Sequence, residues 1–134
     1  MSARHKARTA AVNFLYEGDM RGQSPRSLLA SRDPLEISEA AYVDQLLAGV
    51  EEHLEAINPI ISGYAEGWEL DRMPALDRAI ARLGIFEILW EEGLDSAIAI
   101  NEAVLLAKEL STENSATYIN GLLARVEALR EMLA

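Results

Sequence analysis

The chain has 134 residues, half of them hydrophobic and a quarter charged, with a formal net charge of -10 and no cysteine. These proportions suit one soluble globular domain over residues 1–134, and they exclude disulfides, thiolate zinc sites and thiol chemistry. No apolar run approaches the roughly 20 residues a membrane span needs, and the basic N-terminus leads into no continuous apolar core of a signal peptide, so a cytoplasmic location is expected.

Helix signals dominate in chain order. The first helix is predicted from Ala3 to Met20, stopping at Arg21-Gly22, where glycine suits a left-handed C-terminal position. Ser24-Pro25 reads as a cap followed by proline at the first helical position, opening a short helix through Ser31 that Asp33-Pro34 closes. Ser38 and Glu39 open a longer helix, with Val43, Leu46, Leu47, Val50, Leu54 and Ile57 at helical spacing until Pro59 ends or kinks it. Ile60, Ile61 and Tyr64 suggest a further helical stretch before Gly67. Pro74 to Glu92 is apolar on most sides, as a central helix should be, and Gly93 terminates it. Ile98-Ala99-Ile100 reads as extended or as a tight approach to a helix capped by Asn101-Glu102 and ending near Leu110. Asn114 or Ser115 then caps the final helix, with Tyr118, Ile119, Leu122, Leu123, Val126, Leu129 and Met132 turned inward. Gly121 within it predicts a close helix contact, since glycine there costs about 1 kcal/mol relative to alanine. The expected architecture is an all-α bundle of six or seven helices, without internal repeats.

Charge is distributed unevenly. The first sixteen residues hold Arg4, Lys6 and Arg8, with His5 among them and no acid, which leaves -13 on residues 17–134. Residues 1–32 carry +4 and the remainder -14. A chain this acidic repels nucleic acid over most of its surface, so any contact with a polyanion must be local. Arg4, Arg8, Val12 and Tyr16 follow one another at i, i+4, which predicts one helix stripe that joins positive charge to an aromatic ring. Ala7, Ala10, Ala11, Phe14 and Leu15 supply the opposite, buried side. The competing reading is a helix start whose charges merely face water. Cations at a helix N-terminus oppose its macrodipole at roughly 0.3–1 kcal/mol each, so stability alone does not favour three of them. Single-stranded RNA is held by basic grooves with aromatic faces, and this helix offers both.

Catalytic patterns find no candidates. His5 and His53 are far apart and belong to no zinc motif, and no glycine-rich phosphate loop or nucleophile elbow occurs. Glu51-Glu52 and Glu91-Glu92 are adjacent on helices and point apart, as solvated faces do. His53 reads as a surface or boundary residue, and Trp68 and Trp90 as core anchors. Tyr118, near a helix start with free N–H groups, suits either base stacking or core packing.

Four segments together resemble the NusB family of bacterial transcription antitermination factors. They are Ala7-Arg8-x-x-Ala11-Val12-x-x-Leu15-Tyr16, Leu76-Asp77-Arg78-Ala79-Ile80-x-Arg82-Leu83 with its continuation to Leu89, Ile98-Ala99-Ile100-Asn101-Glu102-Ala103-Val104 with its continuation to Lys108, and Tyr118-Ile119-Asn120-Gly121-Leu122-Leu123. The resemblance implies an all-helical RNA-binding adaptor without catalytic activity or cofactor. It would pair with the small-subunit ribosomal protein that acts as NusE and bind boxA RNA of ribosomal RNA leaders. It would then join other Nus factors on RNA polymerase, suppressing premature termination and aiding rRNA maturation. The resemblance maps RNA contacts onto Arg4, His5, Lys6, Arg8 and Tyr16, and a second region onto Asp77, Arg82, Asn114, Ser115 and Tyr118. Tyr16 and Asp77 are the expected protein-partner contacts.

Two features depart from the family pattern. Asn114 stands where members often carry an acid, which lowers repulsion toward phosphate. His5 carries less fixed charge than arginine would, so RNA affinity could be weaker or pH-dependent. The alternatives are a protein-only interaction module or homodimer that covers Tyr16, and a helical module of the kind that precedes the catalytic domain of certain rRNA cytosine methyltransferases. The chain ends at Ala134 with no cofactor-binding unit for the latter.

Overall fold

The computed structural model describes residues 2–65 and 70–134, and the sequence readings at Gly67 and Trp68 lie outside them. Among the described residues seven α-helices follow one another: α1 Ala3–Arg21, α2 Pro25–Ala30, α3 Ala40–Tyr64, α4 Ala75–Trp90, α5 Ser96–Leu110, α6 Glu113–Ala128 and α7 Arg130–Leu133. Short 3-10 turns lie at Pro34–Glu36 and Leu70–Arg72, and no strand occurs among the described residues. None of these helices is long and apolar enough to cross a membrane.

Local chemistry accounts for most boundaries. Ser2 caps α1, its hydroxyl accepting from His5 N at 3.0 Å, and Gly22 ends the helix at φ 65°, a conformation open to glycine at little cost. Ser24 caps α2 with Pro25 behind it. Helix α3 runs through Pro59 to Tyr64 instead of ending there. Pro59 cannot bond the carbonyl of Glu55, but both residues lie on the exposed side where water can serve that carbonyl. Ile57, Ile60 and Ile61 hold the other side in the core. Ile98-Ala99-Ile100 is helical, not extended: Asp95, and not Asn101, caps α5 by accepting from Ala97 N at 2.9 Å. Thr112, not Asn114 or Ser115, caps α6 by accepting from Ser115 N at 3.0 Å.

Helix α4 is the hub, packed against α1, α3, α5 and α6, and it is buried from Ala79 to Leu89 at every position except Arg82. Leu46, Leu47, Ile57 and Ile61 of α3, Ile80, Leu83 and Ile85 of α4, Leu106 of α5 and Ile119, Leu122 and Leu123 of α6 are essentially inaccessible. Burying such side chains contributes about 1.5–3 kcal/mol each. Close helix contact is made at other glycines than Gly121, around whose missing Cβ no heavy atom lies within 4 Å. Gly49 admits the Phe86 ring, and Gly84 admits Leu123, whose Cδ1 would lie 2.8 Å from an added Cβ. Met132 is 66% exposed, because the last helix breaks at Leu129 and the turn that follows packs on the core through Leu133 instead.

Candidate nucleic-acid interface

Helix α1 does not present its predicted stripe outward. Each i+4 step advances about 40° round the axis, so Arg4 and Tyr16 lie about 120° apart and the residues between them pass inward. Arg4 and Tyr16 emerge, but Arg8 is 3% exposed and Val12 is fully buried. The Arg8 guanidinium donates from Nε and Nη2 to the Glu87 carboxylate at 2.9–3.1 Å, and Nη1 lies 3.6 Å from Glu102. Burial pushes the Glu87 carboxyl up despite Arg8, while the carboxylates outweigh burial at Arg8 and raise its pKa.

His5 is buried as well, at 2% exposed. Its Nδ1 faces Glu102 and its Nε2 lies 2.6 Å from Glu109, so the ring bridges two carboxylates of α5. Burial opposes the charged imidazole, but hydrogen bonds and charge from Glu102 and Glu109 outweigh it and raise the pKa. The basic cluster is therefore partly an internal fastening. Arg4 and Lys6 remain exposed and have no ion pair among the described residues; the Arg4 guanidinium stacks 3.8 Å above the ring of Tyr42. Arg4 borders an open hollow of about 470 Å³ between α1, α3 and the α4–α5 connection, whose walls also include Glu91, Glu92 and Glu102.

The wider positive window is neutralised in the same manner. Arg21 and Arg32 both meet Glu17, and Arg26 pairs with Asp44 at 2.9 and 3.0 Å. The +4 of residues 1–32 is thus not a continuous field.

The second region is divided. Asp77, Asn114, Ser115 and Tyr118 do converge, lining a hollow of about 370 Å³ with Pro74, Ser111 and Thr112. Asp77 is 3% exposed and accepts from the hydroxyls of Ser111 and Ser115 at 2.8 Å each, so it fastens α4 to the start of α6 and offers no open partner contact. Ser115 is also buried, whereas Asn114 is exposed and Tyr118 half-buried. Burial raises the Tyr118 phenol pKa, with Arg125 opposing and Asp77 adding to the shift. Arg82 stands apart: five positions beyond Asp77, it lies about 140° round the helix. Its Nε donates to Asn58 at 3.1 Å, Nη1 lies 3.5 Å from Asp19, and burial with Arg78 nearby lowers its pKa against the pull of Asp19.

The two regions meet at the last turn of α5. Glu109 touches His5, and Ser111 begins the hydroxyl cluster two residues later. Lys108, exposed on the same turn, has no ion pair among the described residues. The sequence reading missed Tyr42, Glu87, Glu102, Lys108 and Glu109. A lone acid inside the apolar run of α4 was a legible sign of Glu87, because such a carboxylate needs a cation. The spacing of Glu102 and Glu109, two turns apart on one face, was a weaker one. His53 proves to be a boundary residue stacked on half-buried Trp90, with centroids 4.1 Å apart.

Comparison with known proteins gives this arrangement its relatives. The model of the NusB family matches residues 5–128. The transcription antitermination protein NusB of Streptomyces griseus subsp. griseus is 42% identical over 139 residues, covering 99% of this chain and 97% of that protein. Among solved structures, T. maritima NusB is similar with a TM-score of 0.86 at 28% identity, over 96% of this chain and 92% of that one. A chain from the crystal structure of antitermination factors NusB and NusE in complex with dsRNA shares the fold, with a TM-score of 0.80 at 24% identity over 96% and 98% of the two chains.

Proposed function

The chain belongs to the NusB family, and from that premise we propose that it is a non-catalytic RNA-binding adaptor of transcription antitermination. With the ribosomal small-subunit protein acting as NusE, it binds boxA RNA of rRNA leaders in the cytoplasm and helps assemble other Nus factors on RNA polymerase. The observation that carries this reading is the pair of exposed cations, Arg4 and Lys6, that have no ion pair among the described residues, at the head of α1 in a chain of net charge -10. Stability does not call for them, since they oppose the α1 dipole.

The RNA path runs from Arg4 and Lys6 past Lys108 to Asn114 and the face of Tyr118. His5, Arg8, Asp77 and Ser115 support this path from beneath. Tyr16 and Met20, 36% and 61% exposed one turn apart on α1, form the apolar part of the protein-partner contact, and the acidic body draws in a basic ribosomal protein.

Titrating boxA RNA and a scrambled RNA, each with and without NusE, tests the proposal. Preference for boxA that increases with NusE is expected. Equal affinity for both RNAs under both conditions overturns it. The exposed Tyr16 and Met20 would also suit a homodimer. Solution mass with and without RNA separates the readings, a dimer that neither dissociates nor binds RNA favouring the second.

A further inference from the structure

His5 faces carboxylate oxygen on both sides, Glu102 at Nδ1 and Glu109 at Nε2. A neutral imidazole has one N–H and one bare lone pair, so it can donate to only one of them. The other nitrogen would then oppose a carboxylate lone pair from a ring that is itself only 2% exposed, while the Glu102 and Glu109 side chains are 20% and 33% exposed at the rim. Both contacts are satisfied together only when the site holds one more proton. The surrounding charges give the same answer. Arg8 shares Glu102 and is backed by Glu87 of α4, so two cations meet three carboxylates when His5 is protonated, and one cation meets three when it is not. Arg4, Lys6 and Lys108 lie on the exposed rim and do not replace the missing charge.

We propose that His5 is a proton-dependent positioning residue, whose bridge to Glu102 and Glu109 clamps the first turn of α1 to α5 and thereby holds Arg4 and Lys6 in place for RNA. Loss of the proton opens one side of the bridge, and that turn leaves α5. The exposed cations on either side of His5 are then less often in the binding arrangement. RNA affinity therefore falls with rising pH while the RNA phosphates keep their charge. Folding linkage has the same sign: the raised pKa of folded His5 means that the clamp contributes fully below its ordinary value of about 6.5 and is lost as pH rises through the higher folded value.

This inference rests on the RNA-binding reading, so its test has one arm without RNA. In the full chain alone, NMR titration of the His5 ring and hydrogen exchange of amides 6–9 should show a raised pKa and protection lost as the ring deprotonates. A His5 that stays neutral at about pH 6, or protection indifferent to its titration, overturns the clamp. In the second arm, boxA RNA affinity is measured from about pH 6 to pH 9, and a fall of about fivefold is expected if the clamped population falls to about one fifth. His5→Arg should keep the high affinity throughout, because a fixed cation can serve both carboxylates, whereas His5→Gln should be weak and flat. His53→Gln should leave the profile unchanged. A flat profile in the unmodified chain, or a slope that survives in His5→Arg, overturns the positioning role. If no RNA binds at any pH, the RNA reading fails and the positioning role fails with it, while the first arm still measures the clamp.

Discussion

Arg8 donates hydrogen bonds to Glu87, 79 positions away, with only 3% and 2% of the two residues exposed. Deleting Arg8 leaves the buried Glu87 carboxylate without its cation, so Arg8→Ala is expected to destabilise the fold by about 3–5 kcal/mol, read as a lower denaturant midpoint. The double replacement Arg8→Met with Glu87→Leu removes both charges and should recover most of that loss. Lys6→Ala has the opposite profile. Its stability should be unchanged, and the slope of log affinity against log salt should fall by about 0.7 for one lost phosphate contact on single-stranded RNA. A Lys6→Ala slope equal to that of the unmodified chain would remove Lys6 from the path. The composition of the α1 head was legible as local positive charge. Which members of it face water was not, because the i+4 pattern drifts round the helix and says nothing about carboxylates on α4 and α5.

Among the helices, glycine sorts contact from convenience. Gly49 and Gly84 are spaces into which Phe86 and Leu123 fit, and an added methyl would force those side chains aside. Gly49→Ala should cost about 1–3 kcal/mol by overpacking despite its better helix propensity. Gly121→Ala meets open space within α6 and should gain about 0.5–1 kcal/mol, both measured by equilibrium unfolding. Gly121 attracts the expectation of close contact because an interior helix glycine usually has a packing reason. The same sequence contained the better candidates, but choosing among helix glycines requires the facing helix. Elements were more legible than their starts. Ser24, Pro25 and Gly22 act as read, whereas Asp95 and Thr112 cap α5 and α6 in place of the residues expected, because several polar residues in each connection could serve equally well by type.

For the whole molecule, the acidic body implies a salt dependence of its own. Association with a basic partner through the acidic body should weaken as ionic strength rises, in proportion to how exposed the contributing charges are, while the apolar contact at Tyr16 and Met20 persists. Titration calorimetry with NusE at two salt concentrations measures this. An affinity independent of salt would place the contact on apolar surface alone.

The order of the amphipathic segments, the apolar character of α4 and the four family segments already determined an all-helical bundle and its NusB kinship, because helix periodicity and local side-chain patterns are properties of neighbouring residues. Only the tertiary structure decided which charges are available. His5 and Glu102 are 97 positions apart and Arg8 and Glu87 are 79, and no local pattern specifies which cation will find a carboxylate when the helices close on one another. Burial then turned half of an apparent RNA-binding motif into the fastening that holds the other half in position.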